Sequence, residues 1–126
     1  MAERATLAVR DAVRRALADI EPGELVLVAC SGGPDSLALA AATAFVAPRA
    51  GWRAGGVVID HRLQPNSGEV AGWAAAVCRK LGLAPVAVRS VSVGSEGGPE
   101  AAARDARYEG LLSEAQGSGA VAVLLG

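Results

Sequence analysis

Aromatic side chains are nearly absent from this chain: its 126 residues hold one Phe, one Tyr and two Trp, 3% of the total, against 52% hydrophobic residues. A core of that composition must come from Ala, Val and Leu, which suits helices packed closely on a sheet. An excess of one charge is also missing. A net charge of −1 at pH 7 argues against this chain alone being a strong nucleic-acid binder, since backbone-driven binding needs a clustered positive surface; it does not exclude an RNA substrate gripped mostly elsewhere. No CxxC spacing occurs. Cys30 and Cys78 stand far apart in apolar surroundings and read as buried free thiols. No apolar run is long enough to cross a membrane, and the charged N-terminus has no signal-peptide layout, so a reducing cytoplasm is the expected compartment. The length suffices for one domain with a core of its own, not two.

What the chain does have is SerGlyGlyProAspSer, Ser31 to Ser36, between an apolar run from Leu25 to Cys30 and an Ala- and Leu-rich run from Leu37 to Val46. The first has the look of a buried strand and the second of a helix. Gly32 and Gly33 can take positive φ and expose bare backbone, and Pro34 suits the first helical position. The N–H groups around Gly33, Asp35 and Ser36 would then face an anion, backed by the helix dipole. No lysine stands in the loop, so it is not a Walker loop, and it is not GxGxxG. A plain capped glycine turn is the bland reading, and the strand before and helix after argue against it.

The rest of the chain alternates. Glu3–Asp19 is an amphipathic helix whose polar side carries Arg4, Arg10, Arg14 and Arg15, read as a solvated face rather than an RNA contact. After the loop helix, Pro48 to Gly51 predicts a break and Arg53 to Asp60 a strand. Asp60 to Ser67 is a polar loop with Ser67 as helix cap, and the helix it starts ends at Gly82. Pro85–Val93 predicts a third strand, Gly94–Pro99 a mobile glycine-rich connection, and Glu100–Ala115 a helix. In that helix Glu100 and Arg104 have ion-pair spacing. Gly117 and Gly119 break it, and Ala120–Leu125 is a fourth strand. Strands alternating with helices imply a doubly wound parallel sheet in a three-layer α/β/α domain. The organisation expected is an N-terminal helix over 1–22 and a nucleotide-binding domain over 23–126, incomplete at its C-terminus.

In such a sheet ligands lie outside the carboxyl ends of the strands, which puts Asp60 and His61 beside the loop. A nucleotide triphosphate held without lysine needs other neutralisation. Magnesium between phosphate oxygens and Asp35 would supply part, and a guanidinium from Arg104 or Arg107 the rest; for each arginine an exposed helix charge is the competing reading. His61 suits acid–base work or the shaping of a base pocket, with shaping favoured. Asp60 either accepts a hydrogen bond from adenine or ribose or simply ends the strand. Spacing alone does not name the reaction.

SGGPDS resembles the SGGxDS signature of the PP-loop ATP pyrophosphatases, which belong to the adenine nucleotide alpha hydrolase-like fold. Three segments together, Ser31 to Leu39, Val58 to Ser67 and Glu100 to Tyr108, are similar to the N-terminal domain of the tRNA(Ile)-lysidine synthetases. The resemblance implies ATP-dependent adenylation of the wobble cytidine of a tRNA(Ile) with a CAU anticodon, then displacement of AMP by L-lysine. Carried over by motif, Ser31, Gly32, Gly33, Asp35 and Ser36 would bind the ATP phosphates, Asp35 with Mg2+. Asp60 and His61 would lie at the nucleotide pocket, and Arg104 and Arg107 would contact phosphate or tRNA, with Asp35 and Arg104 the expected catalytic pair. The family's histidine-and-aspartate segment would begin at Gly126, so this polypeptide alone is not expected to make lysidine. A last strand with an open edge could support a homodimer. Two other readings compete: a PP-loop tRNA thiolation enzyme, disfavoured by the cysteine setting, and a non-catalytic ATP-binding module.

Overall fold

Both faces of β1 (Leu25–Ala29) are covered, which is why this strand is an unbroken apolar run rather than an alternating one. In the computed structural model, which describes residues 2–62, 64–92 and 98–125, the chain runs α1 (Ala2–Ala16), β1, α2 (Pro34–Ala50), β2 (Arg53–Asp60), α3 (Ser67–Lys80), β3 (Val86–Ser90), α4 (Pro99–Ser118) and β4 (Ala122–Leu125). The four strands form one parallel sheet in the order β3-β2-β1-β4, the doubly wound α/β arrangement expected. Leu27 stands beside Gly55 on one side and Val123 on the other.

The two faces of the sheet follow the period-two alternation of side chains along a strand. Val26 packs with Val13, Leu17, Val46 and Trp52, which brings α1 and α2 onto one face. Val28, Cys30 and Val58 extend that face under α2 and α3, meeting Ala40, Ala74 and Cys78. The alanines let the helices lie close to the sheet. Leu25, Leu27 and Val57 point to the other face, where Leu111 of α4 covers them. Burial of one such aliphatic side chain is worth roughly 1.5–3 kcal/mol, so a core made mostly of small aliphatic residues, with Trp52 as its one buried aromatic among the described residues, holds the domain.

Several boundaries differ from the sequence reading. Pro48 does not end α2; the helix continues to Ala50 and stops at Gly51, whose φ of 90° and N–H to the Ala47 carbonyl form the cap. Proline removes only one donor in the last turn, and that turn is held by the burial of Val46, Ala47 and Trp52. Ser67 is the first residue of α3 rather than its cap; Asn66 occupies the cap position and makes no side-chain cap bond. Gly117 lies inside α4, which ends at Gly119 with φ of 78°. Glu100 and Arg104 form no ion pair; among the described residues the pairs are Arg14–Asp11 and Arg89–Glu114. The glycine-rich stretch expected over 94–99 lies outside the described residues from 94 to 97, as does Val93.

Candidate nucleotide and substrate site

All four strands point their carboxyl ends the same way, and the order reverses at β1: the chain steps outward through β2 and β3, then returns to place β4 on the other side of β1. Crevices at such reversals are where open α/β sheets hold ligands. Here a cavity of about 240 Å³ opens at that point, lined by Ala29 and Leu125 at the ends of β1 and β4, with Ser31, Ser36, His61 and Arg107 around them.

One wall is the Ser31–Ser36 loop. Gly32 has φ of 87° and Gly33 φ of −74°, so only the first of the two glycines uses the left-handed region. A Cβ on Gly32 would also stand 3.3 Å from the Trp73 ring of α3. Ser36 is the brace of the loop. Its buried hydroxyl accepts from the Ser31 N–H at 3.1 Å, donates to the Gly33 carbonyl at 3.1 Å, and lies 3.1 Å from the Ser31 hydroxyl. The Gly33 N–H donates to the Ser31 hydroxyl at 3.3 Å. Pro34 opens α2, and the N–H groups of Asp35 and Ser36 in that first turn have no intrahelical acceptor. Asp35 is exposed in the same turn and makes no ion pair among the described residues.

The opposite wall is built from the end of β2 and from α4. Asp60, 8% exposed, turns back on its own chain: its carboxylate accepts from the Arg62 N–H at 2.9 Å, and Arg62 takes φ of 57°. That backbone bond, then the Ser67 hydroxyl, hold the carboxyl below its usual range against an opposing push from burial, with smaller help from the Arg62 and His61 charges. Asp60 therefore fastens the turn that presents His61. His61 borders the central cavity, a second of about 610 Å³ shared with Glu100, Arg104 and Arg107, and a third of about 240 Å³ between the loop and Asn66, Ser67 and Val70. Its Nδ1 and the Arg107 Nε are sealed from solvent with no hydrogen-bond partner. Orphaned buried polar atoms are costly and rare, and here two of them border one cavity.

The structure thus brings Ser31, Ser36, His61 and Arg107 together, with Arg104 on the outer rim. Gly32, Gly33, Asp35 and Asp60 shape or flank the site without lining these cavities. Sequence reasoning missed Trp73 beside Gly32 and the role of Gly110, where a Cβ would stand 2.9 Å from Ile59 Cδ1 and 3.1 Å from Val91 Cγ1. That bare contact seats α4, and so Arg107 one turn before it, against the sheet. A half-exposed Trp on a short helix is a signal that could have been noticed; nothing in the pattern marked Gly110. Glu100, considered only as a partner of Arg104, proves to border the same cavity as that arginine without pairing to it.

A braced glycine loop leading from a central strand into a helix, at the reversal of a parallel sheet and without a lysine, is the arrangement of a PP-loop domain. The family model of the PP-loop domain, an ATP-binding module, matches residues 6–126, and the chain belongs to that family. Its curated relatives are more particular. Over 118 residues it is 65% identical to the tRNA(Ile)-lysidine synthase of Thermobifida fusca, covering 94% of this chain and 36% of that protein. It is 57% identical over 106 residues to the tRNA(Ile)-lysidine synthase of Leifsonia xyli, covering 84% of this chain and 32% of that protein. It is 58% identical over 120 residues to the one from Salinispora tropica, covering 94% and 36%. The chain therefore spans about a third of the length of the curated relatives it matches. No helix among the described residues is long and apolar enough to cross a membrane.

Proposed function

We propose that this chain is the ATP-using domain of a tRNA(Ile)-lysidine synthase acting in the cytoplasm. The observation that carries the reading is the cavity at the reversal between β1 and β4, which the braced Ser31 and Ser36 line together with His61 and Arg107, two residues that each also carry an unpartnered nitrogen. A polar ligand in that cavity would meet the loop hydroxyls, His61 and Arg107 together, and the identity to tRNA(Ile)-lysidine synthases supports ATP as that ligand.

In the reaction, the C2 oxygen of the wobble cytidine of a CAU-anticodon tRNA(Ile) attacks the α-phosphorus of ATP. The bond to the β-phosphate oxygen breaks and pyrophosphate leaves. The lysine ε-amine then attacks C2, AMP departs with the C2 oxygen, and the amine loses its proton. The first-turn N–H groups and the Ser31–Ser36 loop bind the phosphates, with the helix dipole behind them. Arg107, a planar fork fixed by its place on α4, orients the α-phosphate, and Arg104 on the rim meets phosphate or tRNA. His61 shapes the pocket of the reacting base, held there by the Asp60 turn.

Magnesium fits these residues through the exposed carboxylate of the loop. No group of three or more His, Cys, Asp and Glu side chains is arranged to hold a metal among the described residues, so the ion would take Asp35 as its single carboxylate and fill its shell from phosphate oxygens and water. Bound so, it would supply charge neutralisation that a Walker lysine supplies elsewhere.

A thiolation enzyme is the weaker reading. Cys30 and Cys78 are both buried, and burial, with Cys30 as a hydrogen-bonding neighbour, pushes the Cys78 thiol up to about 12, far from the thiolate that such chemistry uses. A homodimer is a subsidiary proposal, to be read from the mass of the whole protein in solution. The deciding experiment is ATP–pyrophosphate exchange by the whole protein that carries this chain. Exchange that needs unmodified CAU tRNA(Ile), followed by lysine-dependent AMP release, is the expected result. ATP binding without exchange would mean a nucleotide-binding module and overturn the reading.

A further inference from the structure

The single Phe of the chain lies far from the crevice and does something the proposed reaction does not use. Phe45 sits on α2 eleven residues beyond Pro34, roughly 16 Å along the helix from the loop. Arg10 of α1 stands with its guanidinium carbon 3.5 Å from the centre of the Phe45 ring, and Arg49, one turn further along α2, stands at 3.5 Å as well. The two guanidinium carbons are therefore at most about 7 Å apart. Neither belongs to an ion pair among the described residues, whereas Arg14, on the next turn of α1, is taken by Asp11 at 3.0 Å.

Stacking on an aromatic face stabilises each guanidinium, yet it also gathers two like charges with no ion-pair partner among the described residues to offset their repulsion. Arg49 spends one N–H on the Phe45 carbonyl at 2.7 Å, and the Arg10 Nε is sealed against the protein. Their remaining terminal N–H groups have no partner among the described residues. Two oriented forks that repel each other until an anion arrives are a poor device for stability and a good one for phosphate. The net charge of −1 does not bear on this, because clustering rather than the sum decides local attraction.

We infer that the Arg10–Phe45–Arg49 stack is a phosphate-docking point for the RNA backbone, on the outer α1–α2 surface remote from the reacting base. The inference rests on the reading that the whole protein acts on a tRNA; the stack would hold one or two backbone phosphates while the base enters the crevice. Phe45 is then a positioning residue, fixing both forks at once.

The test measures binding of an unmodified CAU tRNA(Ile) transcript to the whole protein over a range of salt concentrations, with ATP binding and thermal melting in parallel. Replacing both arginines, Arg10→Ala with Arg49→Ala, is expected to weaken RNA binding roughly tenfold at about 0.15 M salt and to flatten the salt dependence by about one to two units of log slope. ATP affinity should not move. The pair Arg10→Lys with Arg49→Lys keeps the charge and should retain most of the salt slope. An unchanged slope in the alanine pair, with tRNA-dependent exchange intact, overturns this inference and leaves the proposed function standing. Equal loss in the alanine and lysine pairs, tracking a lowered melting temperature, overturns it in favour of a purely structural stack. Failure of the unaltered protein to bind the transcript at all sinks both readings together.

Discussion

The two walls of the crevice differ in how they meet their own polar groups. The loop wall is self-sufficient: one buried hydroxyl, Ser36, ties Ser31 and Gly33 into a closed network, and the backbone keeps its shape with nothing bound. The far wall is not, because His61 and Arg107 each carry a sealed nitrogen without a partner. A preorganised backbone cradle binds by geometry fixed at folding, whereas the far wall bears a desolvation cost that a ligand would remove. The difference teaches where affinity and where stability reside. Damage to the loop wall should appear first in the fold, and damage to the far wall first in binding.

The largest effect tests the one exposed group on the loop wall that takes no part in its network. If Asp35 holds the proposed magnesium, Asp35→Ala in the whole protein should lower tRNA-dependent ATP–pyrophosphate exchange by at least about 10²-fold, since loss of a direct metal ligand costs no less than loss of its supports. Melting should barely change because Asp35 is exposed; an unaltered exchange rate would remove it from the metal site. Next comes Arg107→Ala, which should raise the Michaelis constant or the dissociation constant for ATP by about 10- to 100-fold, the worth of a charge-assisted hydrogen bond. Its melting temperature should hold or rise, because an orphaned buried group is removed with it. Arg107→Lys should not restore affinity, as lysine has no fork. A fall in melting with unchanged affinity would break the contrast between the walls.

Smaller effects come from two glycines, one on each wall. Gly32→Ala forces a side chain into the left-handed region and against Trp73, at about 1–2 kcal/mol for the backbone alone. Gly110→Ala meets Ile59 and Val91 but recovers about 1 kcal/mol of helix propensity, so its net effect on stability is smaller, and it should show as weaker ATP binding through a displaced Arg107. Chemical denaturation and a nucleotide titration of both variants separate these outcomes. The smallest effect is a matter of acid. Because the folded Asp60 carboxyl is lowered from the ordinary value of 3.8, its contribution is complete above about pH 4 and is lost as pH falls through the lowered folded value. Asp60→Asn should flatten the acid limb of a stability–pH curve, and an unchanged limb would show that the turn does not depend on the charge.

Most of the architecture was legible in the pattern. β2 runs from Arg53 to Asp60 as read, and the loop and its helix stand where the glycines and Pro34 put them, because apolar runs, glycines and helix-starting prolines act locally. The errors differ in kind: Pro48 and Gly117 predict breaks yet sit inside helices that run on to glycine caps at Gly51 and Gly119, while Ser67 as a cap and Glu100 with Arg104 as a pair are spacing signals that the folded chain does not use. Of the cavity lining, the placement of Ser31, Ser36 and His61 beside one another follows from the strand-end pattern. Which of Arg104 and Arg107 reaches the central cavity does not, because both share a helix side and only packing against the sheet puts Arg107 there.

By itself the sequence determined a parallel α/β domain with an anion-binding loop and no Walker lysine, since strand, turn and helix signals are short-range and additive. Only the tertiary structure decided the rest. β4 crosses to the far side of β1 and opens the crevice there, the bare Gly110 contact seats α4 against Ile59, and Arg10 meets Arg49 on one ring. Each depends on segments tens of residues apart, and no local preference encodes which surfaces will meet.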